Sequence, residues 1–116
     1  LLTGNVREGA RLKLTAAGLH SWFAVGAYGS DHESRNELPP IALRRARDHW
    51  GIEFPAASMV VIGDTPRDVA CGRLAGARTI AVATGRFDAE VLERAGPDQV
   101  LPDFRDTGRV LEAIVN

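Results

Sequence analysis

At 116 residues the chain has room for one domain of ordinary size, and 45% apolar with 25% charged residues fits a soluble globular protein. A net charge of −1 leaves no basic surplus for nucleic acid or an anionic membrane surface. One cysteine, Cys71, rules out an internal disulfide and suits a reducing cytosol, and no apolar run approaches the roughly 18 to 20 residues of a membrane-spanning helix, so the expectation is a cytoplasmic protein.

In chain order, Leu1-Leu2-Thr3 reads as the end of a buried strand. With no initiator methionine before it, the expectation is a fragment whose preceding sequence lies upstream. Asn5 then reads as the N-cap of a helix, with Glu8 completing a capping box. Val6, Ala10, Leu14 and Ala17 recur at helical spacing, and Gly18 stops the helix. Trp22 to Tyr28 is a second apolar, β-rich run, and Gly29 to Glu37 is a polar loop. Leu38, Ile41, Ala42, Ala46 and Trp50 share a helical face. Pro39 and Pro40 suit only that helix's first turn, and Gly51 ends it.

Ser58 to Ile62 is a continuous apolar strand, the pattern of a strand covered on both faces. Gly63 to Asp68 turns it into a helix bearing Val69, Ala70, Leu74 and Ala75. Arg78 to Ala83 is the next buried strand. Val91, Leu92 and Ala95 mark a helix closed by Gly96-Pro97. Gln99 to Leu101 is a short edge strand limited by Pro102. Val110, Leu111, Ile114 and Val115 mark a last helix capped by Asp106 or Thr107. Strands alternating with helices predict βαβ units and a parallel sheet with helices on both faces. Ligands of such sheets bind beyond the carboxyl ends of the strands.

Two strand ends there carry chemistry. Met59-Val60-Val61-Ile62 delivers Asp64 to a strand end, and Asp68 follows four residues later at a helix start. Two carboxylates make a hard oxygen site suited to Mg²⁺. Local structure offers a second account: Thr65 as N-cap, Pro66 at the first helical position and Asp68 closing the box. That account covers Asp68 but not Asp64, and the two roles can coexist. The other strand end is Thr3-Gly4-Asn5, a hydroxyl followed by the N–H groups of a helix start, which suits a phosphate oxygen; an ordinary strand–helix turn reads the same way.

Together these residues resemble the haloacid dehalogenase superfamily, in its phosphoglycolate-phosphatase-like branch. Thr3 matches the family's second motif, the hydroxyl that binds the phosphoryl group. Gly63-Asp64-Thr65-Pro66-Arg67-Asp68 matches the fourth, Gly-Asp-x-x-x-Asp, whose acids hold Mg²⁺. Cys71-Gly72-Arg73-Leu74-Ala75-Gly76-Ala77 looks like the family's small-residue stretch, and Thr84-Gly85 like the turn that ends its next strand. The third motif is a Lys or Arg before a proline-containing helix. Here Arg35 stands in Ser34-Arg35-Asn36-Glu37-Leu38-Pro39-Pro40 in place of Lys-Pro-x-Pro. The first motif, Asp-x-Asp with the nucleophile, occurs nowhere in the chain.

The resemblance covers nearly the whole chain. It implies a Rossmann-like three-layer α/β/α sandwich with a parallel sheet, residues 1–116 forming the C-terminal part of the core domain. The nucleophile strand and the cap would lie upstream. It also implies Mg²⁺-dependent hydrolysis of a small phosphate monoester through an aspartyl-phosphate intermediate in the intact parent, the fragment itself being inert. Arg35 would be the catalytic cation, Thr3, Gly4 and Asn5 the phosphate site, and Asp64 and Asp68 the metal site. The partner would be a small phosphorylated metabolite, with no nucleic acid or membrane. These residues specify neither the substrate nor the oligomeric state.

The alternatives are a metal-independent 2-haloacid dehalogenase, against which the paired acids weigh, and a non-catalytic phosphate- or metal-binding module. Asp31, His32 and Glu33 resemble a metal cluster but are adjacent in a polar loop, so a solvated loop is expected. His20 and His49 lack partners at ligand spacing. Cys71 is expected to be a packed thiol, and Trp22 and Trp50 core or edge packing.

Overall fold

A computed structural model describes residues 1–116. The chain divides into two compact units, Leu1–Phe54 and Pro55–Asn116.

In the first unit, strand β1 (Leu2–Thr3) pairs in parallel with β2 (Ala27–Tyr28), Leu2 opposite Ala27 and Thr3 opposite Tyr28. Helix α1 (Arg7–Ala16) joins them, and α2 (Leu38–Trp50) follows a 3₁₀ turn at Arg35–Glu37. Gly18 and Gly51 follow α1 and α2 with φ of 70° and 68°, the left-handed conformation that lets a glycine end a helix. Pro39 and Pro40 lie in the first turn of α2, where their missing N–H groups leave no helical bond unmade.

Three local expectations fail here. Val6, not Asn5, is the N-cap of α1, and it makes no side-chain cap bond. The Asn5 amide instead donates to Thr3, and Glu8 pairs with Arg11. Only Ala27–Tyr28 of the apolar run is strand, because His20–Trp22 closes into a 3₁₀ turn. That turn leaves Trp22 80% exposed rather than packed. Trp50 is also exposed, at 50%, and what it keeps is ring contact, perpendicular to His49 and Phe54.

The second unit holds β3 (Val60–Gly63), β4 (Arg78–Val82) and β5 (Gln99–Leu101) in a parallel sheet of order β3-β4-β5. Helices α3 (Pro66–Leu74) and α4 (Ala89–Arg94) connect consecutive strands, and α5 (Thr107–Val115) ends the chain. Side chains alternate across each strand, so each face builds its own core. Ile80, Val82 and Leu101 pack with Ala113 of α5 on one face. Val69 of α3, Leu92 of α4 and Ala81 pack on the other. Each fully buried aliphatic side chain contributes about 1.5–3 kcal/mol. Ile62 departs from the expected full cover: it is 40% exposed, so β3 is covered more completely on its Val61 side.

Polar bonds set the edges of this unit. Thr79 donates through N and Oγ1 to Asp98 Oδ2 at 2.7 and 3.1 Å, clamping the start of β4 to the lead-in of β5. Asp106, one of the two expected caps, accepts from Arg109 N at 3.0 Å. Cys71 is buried, as a packed thiol should be.

Gly72 of α3 marks the closest helix–sheet approach. A β-carbon there would lie 2.5 Å from Thr79 Cγ2 and 3.0 Å from Val61 Cβ. Gly72→Ala gains up to about 1 kcal/mol of helix propensity. Overpacking a core typically costs about 1–3 kcal/mol, so a net loss of stability is expected. Denaturant melts check this, and a more stable variant would refute the packing.

Candidate functional site

Two strand-to-helix turns carry the predicted residues, one in each unit. In the first, Thr3 ends β1, and its Oγ1 accepts from both Asn5 N and Asn5 Nδ2 at 3.1 Å. The Asn5 amide is oriented by Lys13, whose ammonium donates to Asn5 Oδ1 at 3.3 Å. An ammonium can only donate, so Oδ1 faces Lys13 and Nδ2 faces Thr3. With two bonds accepted, the Thr3 hydroxyl has its own proton to give.

The end of β2 braces this turn. Gly29 N donates to Asn5 O at 2.8 Å, and a β-carbon on Gly29 would overlap the Gly4 carbonyl, lying 2.8 Å from its carbon. Ser30 Oγ accepts from Arg7 N at 3.0 Å, giving the α1 start a cap from a distant residue. Arg35 reaches the same turn: its Nη1 lies 4.0 Å from where a Gly4 β-carbon would stand. Thr3, Gly4, Asn5 and Arg35 are thus brought together. Lys13, Gly29 and Ser30 were missed. Helical spacing puts Lys13 two turns beyond Asn5, the one signal that could have found it.

In the second unit, β3 ends at Gly63 and the chain enters α3 through a complete capping box. Thr65 Oγ1 accepts from Asp68 N at 3.3 Å, while Asp68 Oδ2 accepts from Thr65 N at 3.0 Å and Thr65 Oγ1 at 2.9 Å. Asp68 is 6% exposed, and a β-carbon on Gly63 would overlap its carboxylate. Asp64 differs in every respect. It is exposed, no hydrogen bond or ion pair holds its side chain, and it lies against Gly85 in the turn after β4.

This donor set fits a hard divalent ion of the Mg²⁺ kind. Mg²⁺ keeps several waters and takes one or two protein carboxylates, whereas a structural zinc needs about four protein ligands. Asp64 offers an exposed carboxylate and Asp68 a fixed one; no group of three or more His, Cys, Asp or Glu side chains forms here or anywhere else in the chain, so any ion here would draw its other ligands from water or other groups.

The loop acids are not such a group. Asp31 forms a forked pair with Arg45 at 2.6 and 2.7 Å, and its Oδ2 accepts from Tyr28 N at 2.9 Å. Arg45 also donates to Gly26 O at 2.8 Å. The pair ties α2 to both ends of β2, so Asp31 is a structural clamp rather than a solvated loop acid. His32 Nδ1 accepts from Ser34 N at 2.9 Å.

The HAD-hydrolase-like family model matches residues 36–107. A phosphoglycolate phosphatase of Synechococcus elongatus is 35% identical over 101 residues, covering 87% of this chain and 45% of the relative. Two solved structures share the fold. A haloacid dehalogenase-like protein of unknown function from Agrobacterium tumefaciens has a TM-score of 0.72 at 22% identity over 97% of this chain and 53% of its own. A candidate β-phosphoglucomutase from Thermotoga maritima has a TM-score of 0.78 at 20% identity over 97% and 50%. The chain therefore spans about half the length of the proteins it matches. No helix is long and apolar enough to cross a membrane.

The Asp31 clamp has a signature in pH. The hydrogen bond from Arg45 holds the Asp31 carboxyl at about 2, below its ordinary 3.8. A carboxyl depressed by folding contributes stability above its unfolded value and loses it as pH falls through the folded one. Between about pH 4 and pH 2 the wild-type chain should therefore lose stability more steeply than Asp31→Asn. NMR titration of the carboxyl, with melts at each pH, checks this; an Asp31 titrating near its ordinary value would refute the clamp.

Proposed function

We propose that this chain, which belongs to the haloacid dehalogenase-like hydrolase family, supplies the phosphate- and metal-binding part of an enzyme that hydrolyses small phosphate monoesters with Mg²⁺. The observation that carries the reading is Asp64. An exposed, unpaired carboxylate stands at the carboxyl end of a parallel strand, directly before a turn that a second carboxylate locks. Structure alone gives Asp64 no task. A metal does.

The residues divide the work as follows. Thr3 donates its hydroxyl proton to a phosphoryl oxygen, since its own oxygen already accepts two N–H groups. Arg35, beside the same turn, adds a positive charge and a fork of donors for the oxygens as charge develops on them. Gly4 and Asn5 shape the turn that receives the phosphoryl group. Asp64 is the direct metal ligand, and Asp68 acts from behind it. When bound, Mg²⁺ supplies positive charge that lets a carboxylate approach a dianionic phosphate.

The attacking carboxylate belongs to the part of the parent protein outside these 116 residues, which contain no Asp-x-Asp. It attacks phosphorus as the ester P–O bond breaks and the alcohol leaves, and water then hydrolyses the resulting aspartyl phosphate to free carboxylate and inorganic phosphate. The substrate is a small phosphorylated metabolite; the Synechococcus relative makes 2-phosphoglycolate the first compound to try. A cytoplasmic setting, with no nucleic-acid or membrane partner, agrees with the near-neutral charge and the buried thiol.

The test is phosphate release from p-nitrophenyl phosphate and 2-phosphoglycolate by the intact parent, with Mg²⁺ or EDTA. Activity should require Mg²⁺ and collapse in Asp64→Asn, which keeps the shape of the ligand but removes its charge. The isolated 116-residue chain should be inert. Arg35→Ala should cut kcat/KM at least about tenfold, a loss of more than about 1.4 kcal/mol of transition-state stabilisation. Full parent activity in EDTA would defeat the metal reading, and unchanged kinetics in Arg35→Ala would remove Arg35 from the site.

A further inference from the structure

We propose that Gly85 is a positioning residue for Asp64: the missing side chain of Gly85 is the space in which the Asp64 carboxylate rests. The inference depends on the reading of Asp64 as a metal ligand and adds what holds that ligand in place.

Asp64 poses a physical problem for a metal site. Metal ligands are ordinarily oriented by hydrogen bonds from a surrounding shell, which limits the freedom lost on binding. Asp68 has such bonds, to Thr65 N and Oγ1. Asp64 has none, yet it is exposed and would be expected to sample several rotamers. What permits its position is the empty space at Gly85. A β-carbon on Gly85 would overlap Asp64 Oδ2 and lie 3.0 Å from Asp64 Cγ and 3.3 Å from Asp64 Cβ. The whole carboxymethyl group of Asp64 therefore lies over the Gly85 backbone, at the carboxyl ends of the neighbouring strands β3 and β4.

The backbone supplies no other reason for glycine at this position. Gly18, Gly51, Gly76 and Gly96 have positive φ, but Gly85 does not, so no left-handed backbone calls for glycine there. The three atoms nearest an added β-carbon at 85 all belong to Asp64. Because Asp64 is exposed and unpaired, it can swing away from an added methyl without disturbing the core. The substitution should therefore displace the ligand and leave the fold intact. Gly63 is the opposite case: its β-carbon would overlap the Asp68 carboxylate, which is buried and bonded and has nowhere to go.

The experiment measures Mg²⁺ binding to the intact parent by calorimetric titration, with no substrate present. Loss of an orienting contact typically costs 10–100-fold in metal affinity, so Gly85→Ala should raise the Mg²⁺ Kd at least about tenfold. Its melting temperature in EDTA should match that of the wild type. Thr84→Ala, in the same turn, should bind Mg²⁺ normally. In an Asp64→Asn background, Gly85→Ala should add little further loss, because its effect passes through Asp64. If Asp64→Asn impairs Mg²⁺ binding but Gly85→Ala does not, the positioning role is overturned and the metal site stands. If Asp64→Asn binds Mg²⁺ like the wild type, the metal site itself falls. If Gly85→Ala proves unstable, Asp64→Ala in the same chain should restore stability by clearing the overlap; failure to restore it would overturn the proposal.

Discussion

The bond pattern between Thr65 and Asp68 is the constraint from which the second turn is built. A parallel strand must hand its chain to a helix within a few residues, and the helix begins with N–H groups that have no partner. Thr65 and Asp68 satisfy two of them reciprocally. The Asp68 carboxylate also lies over Gly63, so the end of β3 and the start of α3 are held by one buried group. Burying a carboxylate is costly unless it is well bonded, and Asp68 accepts from both the N–H and the O–H of Thr65. With the turn locked from the inside, Asp64 is left on the outside, its backbone fixed and its side chain free of structural duty.

The two turns share an architecture and differ in sign. Each lies at the carboxyl end of a parallel strand and opens into a helix, a place whose dipole favours anions. In the β3–α3 turn that preference is already met by Asp68, and Asp64 adds a second negative charge beside it. In the β1–α1 turn no side chain caps the helix from its own N-cap position, and Arg7, Lys13 and Arg35 lie around it while the acid of the first helical turn, Glu8, is paired with Arg11. That turn therefore favours an anion. In the proposed function the first turn would receive the phosphoryl group and the second the metal, the same fold element used twice with different side chains.

Most of the strand and helix order was legible because it rests on local rules. Apolar runs, Gly18 and Gly51 as stops, prolines in the first turn of α2 and Asp106 as a cap each depend on a few neighbouring residues. The Thr65–Asp68 box was legible for the same reason. Asn5 misled because its side chain had two outlets. As a cap it would accept from the helix; in the structure it accepts from Lys13 and donates to Thr3 instead. Asp31 misled because its partner, Arg45, lies fourteen positions away, beyond any window in which pairing can be read. Trp22 misled because apolar character predicts burial only when some element is placed to cover it.

Glycines mark the boundary of what a sequence can disclose about this site. A glycine with positive φ follows from a helix end and can be foreseen from the pattern around it, as at Gly18. A glycine that exists to leave room is defined by whatever fills the room, and the filler comes from another part of the chain. Gly29 makes way for the Gly4 carbonyl, Gly63 for Asp68 and Gly85 for Asp64. The acids and the hydroxyl of the candidate site announce themselves by their chemistry. The hollows that hold them in place have no chemistry of their own and become visible only when the chain is folded.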